Sequence, residues 1–137
     1  MQAMAPPRPT ETQLRQILLA ADPRAAAEAR QQVRATIAVW DLPVDPETAS
    51  LLVSELITNA VTHDGTGAIT MAVRVARGRL RVDVHDNSAK LPRPELDPGG
   101  DAETGRGLLL VGTLADEWGY YRTPGGKAVY FTLMFRK

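Results

Sequence analysis

The chain has 137 residues, 44% of them hydrophobic, carries a formal charge of +0 and contains no cysteine. That length makes one domain with a sizeable core, and the missing cysteines exclude disulfide frameworks, zinc–thiolate centres and thiol nucleophiles together. The balanced charge argues against a nucleic-acid binder, no apolar run approaches the ~18 residues of a membrane-spanning helix, and the start of the chain lacks the pattern of a secretory signal. A cytoplasmic protein acting on a small molecule or on another protein is expected.

The stretch Met1 to Thr10 is Pro-rich and polar, which predicts a disordered tail over residues 1–11 and a single folded domain over 12–137. "QLRQILLA" reads as an edge strand. A helix is expected to start at Asp22 and Pro23 and to run through "AAAEARQQVRATIAVW", with Ala26, Val33, Ile37 and Trp40 on one stripe. "DLPVDPE" breaks the chain, and Asp45 can cap a second helix that has Pro46 at its first position. In that helix Ala49, Leu52, Val53, Leu56, Ile57, Ala60 and Val61 keep the spacing of a core-facing stripe. Glu55, Asn59 and Thr62 fall off it towards one flank, and Glu55 and Asn59, four apart, project from the same side. The helix should end near His63, where Gly65 and Gly67 supply a turn.

"AITMAVRVA" and "RLRVDVHD" alternate and are joined at Arg77 and Gly78, a hairpin pattern. Ile69, Met71, Val73 and Val75 face inward. Leu80, Val82 and Val84 do the same, and the period of two places Asp86 on that core-facing side. A buried acid is costly without a hydrogen-bond partner, and none is adjacent in sequence. The plainer alternative is a carboxylate that has turned out to solvent or caps a turn with Asn87 and Ser88. Residues Ser88 to Thr104 lack periodicity and hold three prolines, a lid candidate by length. Gly105 and Gly107 then precede an apolar helical segment, where backbone N–H groups could approach an anion or simply join loop to helix. "EWGYYRT" and "AVYFTLMF" around "PGGK" form a second hairpin with Val129, Phe131, Leu133 and Phe135 on one face. The layout is an α/β (α+β) sandwich, with helices packed on one face of a mostly antiparallel, mixed sheet.

No P-loop spacing occurs, and Gly105-Arg-Gly107 is not continued at dinucleotide spacing. Taken in order, however, "SELITNAVTH", "VDVHDNS", a Pro/Gly-rich lid and "GRGLLLV" resemble the GHKL ATPase/kinase superfamily. Within it the likeness is nearest to the bacterial serine/threonine kinases that double as anti-sigma factors. It covers the chain from about Leu14 to Phe135, including the "GGKAVYFTL" end.

The resemblance implies ATP and Mg²⁺ as ligands. Asn59 would hold Mg²⁺ against the nucleotide phosphates, Glu55 would be the general base, and Asp86 would accept a hydrogen bond from the adenine amino group. Gly105, Arg106, Gly107 and Leu108 would form the phosphate-contacting loop, with His63 near the phosphate side of its helix. Three features depart from the pattern: Ser88 stands where a glycine is common, Ala128 where a threonine near the phosphates is common, and the lid is short. Two functions follow as expectations. One is transfer of the γ-phosphoryl of ATP to a serine or threonine of an anti-sigma-factor antagonist, with regulation of a sigma factor. The other is a nucleotide-responsive module that sequesters a sigma factor without phosphorylating anything. The resemblance also implies a homodimer through the N-terminal strand and helix region.

Overall fold

The computed structural model describes residues 12–64, 67–88 and 110–135. The elements run β1 (Gln13–Ala20), α1 (Ala25–Val39), α2 (Pro46–Asp64), β2 (Ala68–Ala76), β3 (Arg79–Asp86), β4 (Glu117–Thr123) and β5 (Gly126–Met134), with a further helical turn at 110–114. The sheet order is β1-β2-β3-β5-β4, and every pairing is antiparallel. The expected α+β layout is present, with the sheet antiparallel throughout among the described residues. The connections account for this: α1 and α2 pack as a helical hairpin that returns the chain beside β1, β2–β3 and β4–β5 are β-hairpins, and β5 lies between β3 and β4, which run in the same direction without pairing. The expected tail over residues 1–11 lies outside the described residues.

Local chemistry explains the boundaries. Asp45 accepts from the Glu47 N–H at 3.1 Å and from the Thr48 hydroxyl at 2.8 Å, so α2 begins with an orphan backbone donor engaged and Pro46 where no N–H is needed. The Thr48 hydroxyl, then the Glu47 N–H, holds the Asp45 carboxyl below its usual value. Helix α1 starts at Ala25, later than the sequence suggests, because Asp22 accepts the Arg24 N–H at 2.8 Å and forms the turn ahead of it. Its buried stripe is Ala25, Ala29, Val33, Thr36 and Ile37; Trp40 follows the helix and packs against the core only in part. Arg77 and Gly78 both have positive φ, 53° and 75°, the requirement of a tight hairpin turn that matches strand twist.

The core lies between the helices and one face of the sheet. Leu52, Leu56 and Ile57 of α2 meet Met71 and Val73 of β2, Leu80 and Val82 of β3, and Phe131 of β5, all fully buried. Each such side chain stabilises the fold by ~1.5–3 kcal/mol through removal of apolar surface from water. The opposite sheet face carries no described helix. It bears Arg81, Asp83 and His85 from β3, Tyr121 from β4 and Tyr130 from β5.

Candidate functional site

Helix α2 packs over β3 and β5, and its second half runs towards the end of the sheet where β3 finishes and β5 begins. Gly67, three residues beyond α2, lies against Asn87: a Cβ there would sit 3.1 Å from Asn87 Nδ2. The late part of α2, the end of β3 and the start of β5 therefore share one end of the molecule.

Asn59 is 1% exposed, and neither its Oδ1 nor its Nδ2 has a hydrogen-bond partner among the described residues. Helix periodicity alone puts it on the flank of the stripe, yet in the folded chain that flank is buried. A buried amide with both polar atoms unmatched costs about 1–3 kcal/mol, and such groups in folded proteins call for an explanation beyond packing. Glu55 lies one turn earlier on the same side of α2 and is half-buried, while Thr62 is exposed.

Asp86 is buried, as the period of two implies, and it has protein partners that sequence adjacency did not reveal. Lys127 Nζ donates to its Oδ2 at 2.6 Å, and the Ser88 N–H donates to its Oδ1 at 2.8 Å. Solvent is shut out of the ion pair, with side-chain exposures of 0% for Lys127 and 1% for Asp86. The turn-capping alternative and the inward-facing reading are thus both realised in one carboxylate. Ala128 pairs across the strands with His85, on the face opposite to Lys127 and Val129. Gly105, Arg106, Gly107 and Leu108, together with all of the lid candidate after Ser88, lie outside the described residues, as does the side chain of His63.

Sequence reasoning passed over Lys127, although a signal was present. It precedes Val129 by two, so the alternation that turns Val129, Phe131 and Leu133 inward turns Lys127 inward too. The Arg81–Asp83–Tyr121 cluster of the open face was also missed. Asp83 receives Arg81 Nε at 2.8 Å, a second Arg81 nitrogen at 3.0 Å and the Tyr121 hydroxyl at 2.9 Å, and the Arg81 guanidinium stacks 3.9 Å above the Tyr130 ring.

A two-layer α+β sandwich thus carries an unmatched buried amide on α2 and a buried ion pair between β3 and β5. The chain belongs to the histidine kinase-like ATPase domain family, whose model matches residues 19–133. No curated protein matches it. Among solved structures it is similar to the crystal structure of the RsbU and RsbW domains of Rv1364c from Mycobacterium tuberculosis, with a TM-score of 0.67 and 23% identity. That match covers 89% of this chain and 32% of the other, so the chain spans about a third of that protein's length, and the likeness shows the fold. Among the described residues no helix is long and apolar enough to cross a membrane.

Proposed function

We propose that the protein is an ATP-dependent serine/threonine protein kinase of the anti-sigma-factor type, transferring the γ-phosphoryl of ATP to a hydroxyl of an anti-sigma-factor antagonist protein in the cytoplasm. The observation that supports this most is Asn59, whose buried amide has no partner of its own. A hard cation that keeps several waters and takes one or two protein oxygens suits that amide. Among the described residues no cluster of three or more His, Asp or Glu could hold a metal alone, so Asn59 would share the ion with phosphate and water oxygens. Mg²⁺, when bound, would neutralise charge on the phosphates. Asp86 would accept from the adenine amino group. Glu55 would orient the attacking hydroxyl and take its proton as the new P–O bond forms and the bond to the ADP oxygen breaks, a reaction governed by positioning and electrostatics. Gly105, Arg106, Gly107 and Leu108 would supply the phosphate loop, with His63 nearby.

The test is incubation with γ-labelled ATP, Mg²⁺ and an extract of the source cells, followed by an acid wash that spares phosphoserine and phosphothreonine. A small acid-stable labelled protein, with labelling reduced about 10²–10⁴-fold by Glu55→Ala, is the expected result. Mg-ATP binding without label would instead favour the nucleotide-responsive module that sequesters a sigma factor. A homodimer is part of the same proposal: β1 is an edge strand with Leu14 and Leu18 exposed at 50% and 71%. Light scattering that shows only monomer at high concentration would remove it.

A further inference from the structure

The helix-facing register between β3 and β5 reads Leu80↔Leu133, Val82↔Phe131, Val84↔Val129 and then Asp86↔Lys127. Three apolar pairs are followed by a lysine and an aspartate shut off from water. An apolar pair of similar volume would have continued the pattern at no cost in stability, because taking two charges out of water consumes most of what their attraction returns. The position is also tightly built. A Cβ on Gly126 would overlap the Asp86 carbonyl oxygen and the Asn87 backbone, so the entry of β5 is pressed against the end of β3 and Lys127 starts from a fixed point.

We infer that Lys127 is a positioning residue for nucleobase selection: its ammonium group holds Asp86 as an oriented, acceptor-only carboxylate that discriminates a 6-amino purine from a 6-keto purine. The inference rests on the nucleotide-site reading above. A carboxylate offers about four lone-pair sites, and Lys127 and the Ser88 N–H take one on each oxygen, which leaves acceptor capacity for an incoming N–H. Ionised, it accepts from an amino group and repels the carbonyl oxygen that a 6-keto base presents at the same place. Without Lys127 the Asp86 carboxylate loses the charge-assisted partner that orients it, and the distinction between the two bases is lost.

The experiment measures binding of Mg-ATP and Mg-ITP to the full chain and to Lys127→Met by calorimetry, with circular dichroism to establish folding. The wild type is expected to favour ATP by about tenfold or more, and K127M to bring the two affinities within about threefold of each other, as for loss of a charge-assisted hydrogen bond. A merely structural lysine would weaken both nucleotides alike. Should K127M not fold, Lys127→Gln, which keeps a donor and drops the charge, carries the same comparison with the same expected direction. An unchanged ATP-to-ITP ratio in the folded variant overturns the role of Lys127 while leaving the nucleotide site standing. A wild type that binds neither nucleotide overturns the site itself and the inference with it.

Discussion

Two carboxylates on β3, three residues apart and on opposite faces of the sheet, are both ion-paired, yet they are built for different ends. Asp83 takes its cation from its own strand. Arg81 grips both oxygens in a fork, Tyr121 adds a third donor, and the pair is part-exposed, at 34% for Arg81 and 10% for Asp83. Asp86 takes its cation from another strand, through one oxygen, in a site closed to solvent. The first carboxylate is occupied from within the sheet face. The second is held in place by donors on both of its oxygens. On α2, Asn59 is the converse, a buried amide without a hydrogen-bond partner among the described residues. Under the proposed function these two groups, a carboxylate held in place and an unmatched amide, would each meet a different part of the nucleotide.

The largest test of that contrast is to break the buried pair from one side. Asp86→Ala leaves Lys127 as an unpaired cation in the core and should destabilise the protein by about 3–5 kcal/mol in urea unfolding. Replacing both, Asp86→Leu with Lys127→Met, should restore most of that stability while ATP binding stays lost. Recovery of stability together with ATP binding would show that the pair is not part of the site. Asn59→Ala should behave in the opposite way. Removing an amide that has no partners should leave the ligand-free protein within about 1 kcal/mol of wild type, since little bonding is given up. The thermal shift that saturating Mg-ATP gives the wild type should disappear. Loss of several kcal/mol in the ligand-free state would mean that the amide is satisfied within the fold.

Much of this arrangement was legible in the sequence because it is local. The stripe of α2 and the alternation of both hairpins follow from spacing alone, and the inward place of Asp86 follows from Leu80, Val82 and Val84. What was not legible is non-local. The pairing of β3 with β5 depends on strand order, which packing decides, so the partner of Asp86 lies 41 residues away and was not anticipated. Attention fell on Ala128, one residue further along, and a shift of one residue in a strand is a change of face. Asn59 followed the same logic. A helical wheel places it on a flank, and only tertiary packing buries that flank.

On the open face the effects are smaller. Asp83→Asn keeps the shape and drops the charge, and with Arg81 a third exposed the loss should be about 1 kcal/mol or less, with nucleotide affinity unchanged. A change in affinity would couple the two sheet faces. The smallest effect is one of pH. Burial, and then the hydrogen bond to Asp83, pushes the Tyr121 hydroxyl above the ordinary tyrosine value of 10.0. The stabilisation is therefore complete while both folded and unfolded chains keep the proton. As pH rises past 10.0 the unfolded chain releases its proton first, the folded chain then holds more protons, and stability falls until the folded hydroxyl also titrates. Tyr121→Phe lacks both the hydrogen bond and this titration. Its deficit against wild type should be largest at neutral pH and should narrow in melts above pH 10.0. A deficit that stayed constant through that range would mean that the Tyr121 hydroxyl has no energetic preference for Asp83.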